Sequence, residues 1–277
     1  MRRENGFTLI ELLIAMGISV IFMTAVYMNY RSQHESYTVQ DQVVVMEQNL
    51  RAGMYFIQKG IRMSGFDPAD NVDDAITVAR SDRISFNRQY TESFRDLNDD
   101  GDWDAGEPTF EFNGVGGAQS DEFTIQFFID ANGALVTNGG GADLAIAENI
   151  QAIGFAYAFD SSPLDGELDM AGGNVIWAID SDGGGNLDLN LDTNTDGNID
   201  AADDADGDGI IDGVAIAGVD FEAIRAVRVW LLARAQREDK NFYDDTDYVV
   251  SDQRITPNDG FRRELLTMDI KCRNMGL

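Results

Sequence analysis

The sequence GFTLIELLIAMGISVIFMTAVYMNY, residues 6–30, is the longest apolar run in the chain. From Phe7 to Tyr30 it has 24 residues, and Glu11 is the one charged side chain among them. A helix needs about 20 apolar residues to cross a bilayer, so this run is long enough to span one. Arg2 and Arg3 precede it and favour a cytoplasmic N-terminus. The sequence therefore predicts a single membrane-spanning helix, with the rest of the chain outside the cytoplasm.

A cleaved secretory signal peptide is the alternative for an apolar segment in this position. Such a peptide carries small residues at a cleavage site that follows its apolar stretch. Ala15-Met16-Gly17 is a poor candidate, because it lies inside the run. Glu11 fits neither a signal peptide nor an ordinary anchor, since a carboxylate in the bilayer is costly unless it is paired. We therefore predict a retained helix in which Glu11 has a specific partner.

The start of the chain resembles the type IV prepilin family, whose members have a short basic leader, then Gly and Phe, with Glu five residues into the mature chain. Gly6, Phe7 and Glu11 hold these positions. The resemblance implies that a prepilin peptidase cleaves between Gly6 and Phe7 and methylates the new Phe7 amine. It also implies that the helix stays in the inner membrane, with its N-terminus in the cytoplasm, until an inner-membrane assembly platform adds the subunit to a pilus.

In such a filament the resemblance places Glu11 opposite the N-terminal amine of a neighbouring subunit. Two opposite charges inside an apolar helix bundle offset each other's burial cost. A misregistered subunit would leave both charges unpaired. Glu11 is therefore predicted to set the register between this chain and other pilins.

The helix is predicted to continue beyond the membrane, from Phe7 to about Met63. No proline interrupts residues 7–67, and Gly65 with Pro68 supplies a stop. Apolar residues recur at helical spacing, namely Val39, Val43, Met46, Leu50, Met54, Ile57 and Ile61. We therefore divide the chain into a leader (1–6), a membrane or filament-core helix (7–30), an amphipathic continuation (31–64) and a β-rich domain outside the cytoplasm (65–277).

The β-rich domain contains eight candidate strands, separated by turn-rich segments. They are residues Ala75–Ala79, Arg83–Asn87, Thr109–Asn113, Glu122–Asp130, Ile150–Phe159, Asn174–Asp180, Arg225–Arg234 and Leu265–Arg273. One long helix followed by many strands predicts an α+β fold, with an antiparallel sheet laid over the helix. This is the type IV pilin plan.

Three stretches in the second half resemble one branch of the family, the PilW-type minor pilins. They are AENIQAIGFAYAFD (147–160), IRAVRVWLLARAQREDKNFYDDTDYV (224–249) and FRRELLTMDIKCRN (261–274). The resemblance implies a minor pilin of a type IV pilus, and the size of the domain places it at the pilus tip or in the initiating complex. Two alternatives are open: a J-type pseudopilin of a type II secretion system, and a surface adhesin that uses the leader for display.

The net charge of the 277-residue chain is −29, which argues against nucleic-acid binding because no basic cluster could neutralise phosphates. The acidic excess is local. Residues 96–107 contain 6 of the 49 acidic residues, and residues 180–212 contain 11 with no Lys, Arg or His. Both segments are interpreted as insertions, at about 96–107 and 180–213.

The first insertion matches the twelve-residue calcium-loop pattern, with oxygen side chains at positions 1, 3 and 5, Gly at 6 and Glu at 12. Ca²⁺ takes six to eight oxygen ligands, and alternate side chains on a tight turn converge on it. Position 7 would offer its backbone carbonyl, and position 12 would be bidentate. The candidate ligands are Asp96, Asn98, Asp100, Asp102, Asp104 and Glu107.

The second insertion repeats a similar pattern and resembles the tandem calcium loops of dockerins and thrombospondin type 3 repeats. Its candidate ligands are Asp192, Asn194, Asp196, Asn198, Asp200 and Asp203, followed by Asp204, Asp206, Asp208 and Asp212. Asp180, Asp182, Gly185 and Asp188 form a degenerate earlier copy. The alternative is a disordered acidic insertion, which explains the charge but not the placement of Gly101, Gly197 and Gly209. We predict structural Ca²⁺, which would staple a domain whose lone Cys272 excludes an intrachain disulfide.

A catalytic function is not predicted. The chain has one His and one Cys, His34 and Cys272, which lie far apart in the sequence. No Ser stands in a nucleophile-elbow pattern, and the Gly-rich loops lack the Lys of a phosphate-binding loop.

Overall fold

The computed structural model describes residues 8–65, 75–89, 122–138, 143–161 and 164–275. It divides into two units, Met1–Val45 and Met46–Leu277. Gly6, Phe7, the candidate strand Thr109–Asn113 and the first predicted calcium loop, Asp96–Glu107, lie outside the described residues.

The first unit is helical. The helix α1 is Leu9–Arg62, close to the predicted Phe7–Met63, and its first 37 residues belong to this unit. It includes an 18-residue window that is apolar enough to cross a membrane. Two hydroxyls in this part of the helix bond to its own carbonyls: Ser19 Oγ donates to Ala15 O (2.7 Å) and Thr24 Oγ1 donates to Val20 O (2.8 Å). Such bonds satisfy polar groups that lipid cannot solvate.

The second unit contains two larger antiparallel sheets among the described residues, where one had been predicted. The first sheet is a meander in chain order, which pairs strands that are neighbours in sequence. Its strands are β1 (Ile76–Ala79), β2 (Ile84–Gln89), β3 (Glu122–Ile129), β4 (Leu135–Asn138) and β5 (Leu144–Ala147).

The remaining strands follow along the chain as β6 (Ile150–Phe159), β7 (Met170–Ala171), β8 (Asn174–Val175), β9 (Ala178–Ile179), β10 (Asn186–Asn190), β11 (Val214–Asp220), β12 (Ile224–Arg234), β13 (Tyr248–Val250), β14 (Gln253–Ile255) and β15 (Arg263–Lys271). The second sheet has the order β11-β10-β9-β6-β12-β15. The pairs β7–β8 and β13–β14 form separate hairpins. A short 3-10 helix, Phe221–Ala223, links β11 to β12.

The α+β prediction is confirmed, and five predicted strands correspond to β1, β2, β3, β6 and β12. The last predicted strand, Leu265–Arg273, is shifted against β15, which begins at Arg263 and ends at Lys271. The prediction of one strand over Asn174–Asp180 is wrong. There the chain forms β8, which pairs with β7, and then β9, which pairs with β6 and β10, because the two halves have different partners.

The C-terminal part of α1 packs in the second unit and confirms most of the predicted apolar stripe. Met46, Leu50, Met54, Ile57 and Ile61 are buried, at most 4% exposed. Burial of such side chains contributes about 1.5–3 kcal/mol each relative to exposure. Val39 and Val43, which complete the predicted stripe, are partly exposed and belong to the first unit. The stripe therefore anchors the last turns of the helix in the domain core.

Two glycines let this helix lie close to both sheets. A Cβ at Gly53 would stand 2.8 Å from Leu135 Cδ2 on β4 and 3.4 Å from Leu231 Cδ1 on β12. A Cβ at Gly60 would stand 2.7 Å from Phe127 Cε2 and 2.9 Å from Phe86 Cζ. Real Cβ atoms essentially never come within 3.0 Å of a neighbour, as a Cβ would at Gly53 and at Gly60, so these positions set the distance between α1 and the sheets.

We expect Gly60→Ala to destabilise the second unit by about 1–3 kcal/mol, although Ala favours a helix over Gly by about 1 kcal/mol. The reason is the clash of the added methyl with the two phenylalanine rings. Chemical denaturation of the full chain in detergent measures the change. Gly17→Ala is the control, because nothing lies within 4 Å of a Cβ at Gly17. Equal effects of the two substitutions would contradict the packing argument.

Cys272 is a core residue. It follows β15, is 0% exposed, and its backbone N–H donates to Arg225 O at 2.9 Å. Burial raises the pKa of its thiol to about 12. A thiol in this environment stays protonated and is unreactive at neutral pH.

Candidate functional sites: the N-terminal helix and the acidic loops

Glu11 lies in the first turn of α1 and contacts Thr8. Thr8 N and Thr8 Oγ1 donate to Glu11 Oε2 at 2.8 and 2.9 Å, and Glu11 N donates to Thr8 Oγ1 at 3.3 Å. This reciprocal pair is a capping box, in which two backbone N–H groups without helical partners are satisfied. Glu11 therefore has a local role in starting the helix, in addition to any role between subunits.

The capping role could have been found in the sequence. Thr8-Leu9-Ile10-Glu11 has the Thr-x-x-Glu spacing that precedes an apolar helix. The family resemblance directed attention to the charge of Glu11, and the local pairing was missed. The capping role and the predicted role between subunits involve the same carboxylate, so a substitution of Glu11 alone does not separate them.

The apolar side chains of α1 from Leu9 to Tyr30 are exposed, with Ile21, Phe22 and Met23 each at least 69% accessible. Apolar area on this scale is stable only in lipid or against other apolar surfaces. The exposed helix therefore offers a surface suited to lipid or to other apolar helices.

The second acidic insertion, residues 180–212, consists of three segments in a twelve-residue register. Asp180, Asp192 and Asp204 are their first residues, and a glycine with positive φ stands at the sixth position of each. These glycines are Gly185 (φ 84°), Gly197 (φ 93°) and Gly209 (φ 91°). Glycine adopts this conformation without the steric cost that other residues incur. The spacing seen in the sequence is therefore a structural repeat.

The eighth position of each segment is a buried aliphatic residue, a signal that the sequence analysis missed. Leu187, Ile199 and Ile211 are 0%, 8% and 1% exposed, respectively, and belong to the main core cluster. A solvated, disordered insertion has no reason to bury an apolar side chain at each twelfth residue. The interpretation of this insertion as disordered is therefore wrong, and Leu187 belongs to β10, a strand of the six-stranded sheet.

The acidic side chains fold each segment into a tight loop by accepting backbone N–H groups. The first Asp accepts from the sixth residue, as in Gly197 N to Asp192 Oδ2 (2.9 Å) and Gly209 N to Asp204 Oδ2 (3.3 Å). The third residue accepts from the fifth, as in Asp208 N to Asp206 Oδ1 (3.1 Å). The same bonds recur in the degenerate segment, where Asp180 accepts from Gly185 N and Asp182 from Gly184 N.

In the third segment the carboxylates converge. Oxygen atoms of Asp204, Asp206 and Asp208 lie within 4.8 Å of one another. Among the described residues, this group of three acidic side chains could hold a metal ion. Asp204 is buried, whereas Asp206 and Asp208 are exposed. Asp212 faces the same loop, since its Oδ2 accepts from Ala205 N at 2.8 Å. A set of carboxylate oxygens fits a hard cation such as Ca²⁺.

The second segment is arranged differently. Asp203, its twelfth residue, is fully buried and accepts three hydrogen bonds, from Thr193 N (2.8 Å), Thr193 Oγ1 (2.6 Å) and Asp200 N (3.0 Å). Its carboxylate thereby closes the loop. Similar loop bonds connect the other predicted ligands of this segment. Asp196 N donates to Asp192 Oδ1 and to Asn194 Oδ1, and Asn198 N donates to Asp196 Oδ1. These hydrogen bonds close the loop, and a bound cation would add further interactions to them.

The third segment is tied to the β13–β14 hairpin. Arg254 N donates to Gly209 O at 2.9 Å, and Ile211 N donates to Asp252 O at 2.8 Å. Arg254 Nη1 also donates to Asp204 Oδ2 at 3.2 Å, so this buried carboxylate has a cationic partner. The hairpin in turn rests on β6, because Ser251 Oγ donates to Phe155 O at 2.5 Å. Arg254 was not recognised in the sequence, because it lies 50 residues from Asp204.

Comparison with protein families gives two matches. Residues 1–27 match the prokaryotic N-terminal methylation motif, and residues 128–274, more than half of the chain, match the type IV pilus-assembly protein W family. The chain belongs to the type IV pilus-assembly protein W (PilW) family. This confirms both resemblances seen in the sequence, to type IV prepilins and to PilW-type minor pilins. The family consists of structural, pilin-like proteins. The separate N-terminal methylation motif and the long apolar helix indicate membrane anchoring before assembly.

Among solved structures, this PilW protein is similar to the type IV-like pilin TTHA1219 from Thermus thermophilus. The TM-score is 0.41 and the sequence identity 12%, over 83% of this chain and 97% of that chain. Comparison with curated protein sequences gives no match.

Proposed function

We propose that this PilW-family protein is a minor pilin that primes or caps a type IV pilus and has a structural role. The observation that carries the proposal is the match of residues 128–274 to the PilW family. The leader alone does not suffice, because pilins and pseudopilins share it. The second half of the chain is therefore the part that favours a pilus.

The maturation pathway follows from the N-terminal motif. Prepilin peptidase cleaves between Gly6 and Phe7 and methylates the Phe7 amine, and the helix waits in the inner membrane with its N-terminus in the cytoplasm. The assembly platform then moves the exposed apolar helix from lipid into a bundle of pilin helices. In that bundle Glu11 pairs with a neighbour's N-terminal amine and fixes the register.

A position at the pilus tip is supported by the bulk of the second unit, Met46–Leu277. A tightly packed shaft would leave little room for two sheets, two hairpins and the acidic loops. The protein would therefore be a low-abundance subunit. Dense immunogold labelling along whole filaments would contradict this placement.

The J-type pseudopilin is the second candidate, because it shares the leader, Glu11 and the α+β plan. The experiment that separates them is a clean deletion, scored in the same cultures for surface pili and for secreted enzyme activity. We expect pili to be lost and secretion to be normal, and the wild-type gene should restore the pili. Normal pili with lost secretion would assign the protein to the secretion system. Normal pili and secretion with failed attachment would indicate an adhesin.

We further propose that Ca²⁺ occupies the acidic loops and stabilises the domain. The three converging carboxylates at Asp204, Asp206 and Asp208 support this, and so does the shared register of the segments that begin at Asp192 and Asp204. Arg254 neutralises part of the charge at Asp204. The ion would supply the remaining counter-charge. The first loop, Asp96–Glu107, is proposed as a further site on its sequence pattern alone.

A further inference from the structure

The helix α1 ends at Arg62, and the chain turns away from it at Gly65, whose φ is 66°. Gly65 N donates to Asn87 O on β2 at 3.0 Å, which bonds this turn to the first sheet. The last four C=O groups of a helix have no N–H partner within it. The carbonyl oxygens at this end, including those of Arg62 and Ser64, therefore need donors from elsewhere in the chain.

Asn274, which follows β15, supplies these donors. Its Nδ2 donates to Arg62 O at 3.2 Å and to Ser64 O at 3.4 Å, across 212 and 210 positions of sequence. A side-chain amide has two N–H hydrogens, so one residue can serve both carbonyls. The C-terminal end of a helix carries a partial negative charge, which a donor stabilises. Asn274 thus caps α1 from a distant part of the chain.

Met275, the next residue, contacts the same turn through its apolar side chain. It is 8% exposed and belongs to the main core cluster. Ser64 is fully buried, and its Oγ donates to Met275 Sδ at 3.7 Å. A Cβ at Gly65 would stand 3.2 Å from Met275 Cγ and 2.9 Å from Ala75 Cβ. The absence of a side chain at Gly65 therefore leaves the room in which Met275 lies.

The residues that make these contacts are attached to the six-stranded sheet. The strand β15 pairs with β12 along its whole length. Cys272 N extends this pairing, because it donates to Arg225 O at 2.9 Å, and Cys272 itself is fully buried. The turn after α1 is thus bonded to the second sheet through Asn274 and to the first sheet through Gly65.

We propose that residues Cys272–Met275 form a clasp, which holds the end of α1 between the two sheets and opens locally, without unfolding of either sheet. The sequence has one cysteine, so an intrachain disulfide cannot make this connection. Two amide hydrogen bonds and one buried side chain make it instead. The inference depends on these contacts and not on the proposed function. It identifies the place where a load on α1 is passed to both sheets.

The clasp is weaker than the strand pairing beside it. Asn274 is exposed, and both of its bonds are longer than 3 Å, whereas β15 is held by a continuous ladder. Regions with few buried contacts and solvent-exposed hydrogen bonds open at lower free energy than core strands. Opening of the clasp should therefore expose the amides of residues 61–65 before those of β6 and β12.

The test is hydrogen exchange, measured by mass spectrometry on the full chain in detergent micelles. Asn274→Asp keeps the size of the side chain, but an ionised carboxylate has no donor and faces the helix-end carbonyls. Exchange in fragments that cover residues 61–65 should become roughly tenfold faster in this variant and about fivefold faster in Asn274→Ala. Fragments from β6 and β12 should exchange as in the wild type. Arg273→Ala, at an exposed neighbouring residue, is the matched control and should change none of these rates.

A second pair of variants tests the apolar contact. Met275→Ala should speed exchange in the same fragments, whereas Met275→Leu, which keeps the apolar volume, should remain close to the wild type. Unchanged exchange over residues 61–65 in Asn274→Asp would overturn the proposal. Equal acceleration in the β6 and β12 fragments would also overturn it, since this would show a general loss of stability and no local opening. Circular dichroism of the variants establishes that they are folded.

Discussion

Glu11→Ala is expected to lower incorporation of this protein into surface pili by roughly 100-fold or more, with normal amounts in the membrane. The physical reason lies in the proposed pair with a neighbouring subunit, whose amine would stay buried and unpaired when the carboxylate is removed. Breaking a buried ion pair in this way costs about 3–5 kcal/mol, which corresponds to a factor of roughly 100 to 5,000. Quantitative immunoblots of sheared pili and of membrane fractions measure the two amounts.

The capping box supplies controls that a study of Glu11 alone would lack. Glu11→Gln retains an oxygen that can accept from Thr8 N but has no charge, so it should fail almost as severely as Glu11→Ala. Thr8→Ala removes the hydroxyl that bonds Glu11 N at 3.3 Å and leaves the charge in place. It should cost about 1 kcal/mol of helix stability and leave incorporation nearly normal. If Thr8→Ala were as severe as Glu11→Ala, helix capping would explain the defect and the intersubunit pair would not be needed.

Removal of calcium is expected to lower the melting temperature of the domain by about 10 °C. A ligand at roughly 1,000 times its Kd stabilises the folded state by about 4 kcal/mol, and each kcal/mol corresponds to about 2–4 °C in a domain of this size. Thermal melts in Ca²⁺, in EGTA and in Mg²⁺ measure the shift. Limited proteolysis in EGTA should cut within residues 192–212, where carboxylates repel each other in the absence of the ion.

Asp204→Asn is the variant that tests the third loop. It should remove much of the difference between Ca²⁺ and EGTA, because Asp204 is the buried member of the converging group. Asp245→Asn is the matched control, since it removes the same charge from an exposed site outside the loops. An identical melting temperature with and without the ion would contradict structural calcium. Loss of the difference in both variants would point to net charge as the cause.

The parts of the structure that were predictable depend on local patterns. The helix α1 follows from a continuous apolar run and a stripe that repeats along a single chain segment. The strand β12 likewise alternates in the sequence itself. The repeat in residues 180–212 was visible from the spacing of Asp and Gly alone. The aliphatic residues at Leu187, Ile199 and Ile211 recur at the same spacing and could have strengthened the prediction of a folded repeat.

What could not be predicted depends on contacts between distant segments. Residues 174–180 look like one strand, and only their different partners divide them into β8 and β9. The strand β10 lies inside a segment that was interpreted as an insertion, because Asn186-Leu-Asp-Leu-Asn190 is too polar to suggest a sheet. The contact between Arg254 and Asp204 joins two segments that are distant in the sequence, and no local sequence pattern at either residue indicates it.

The buried thiol of Cys272 makes this protein a ready background for site-specific labelling. It is the one cysteine in the sequence, and a protonated sulfur inside the core does not react with maleimide dyes at neutral pH. A cysteine introduced on any exposed turn would therefore carry the dye alone, with no need to replace the native residue. Fluorescence microscopy of living cells could then count these subunits on each filament and follow them through extension and retraction.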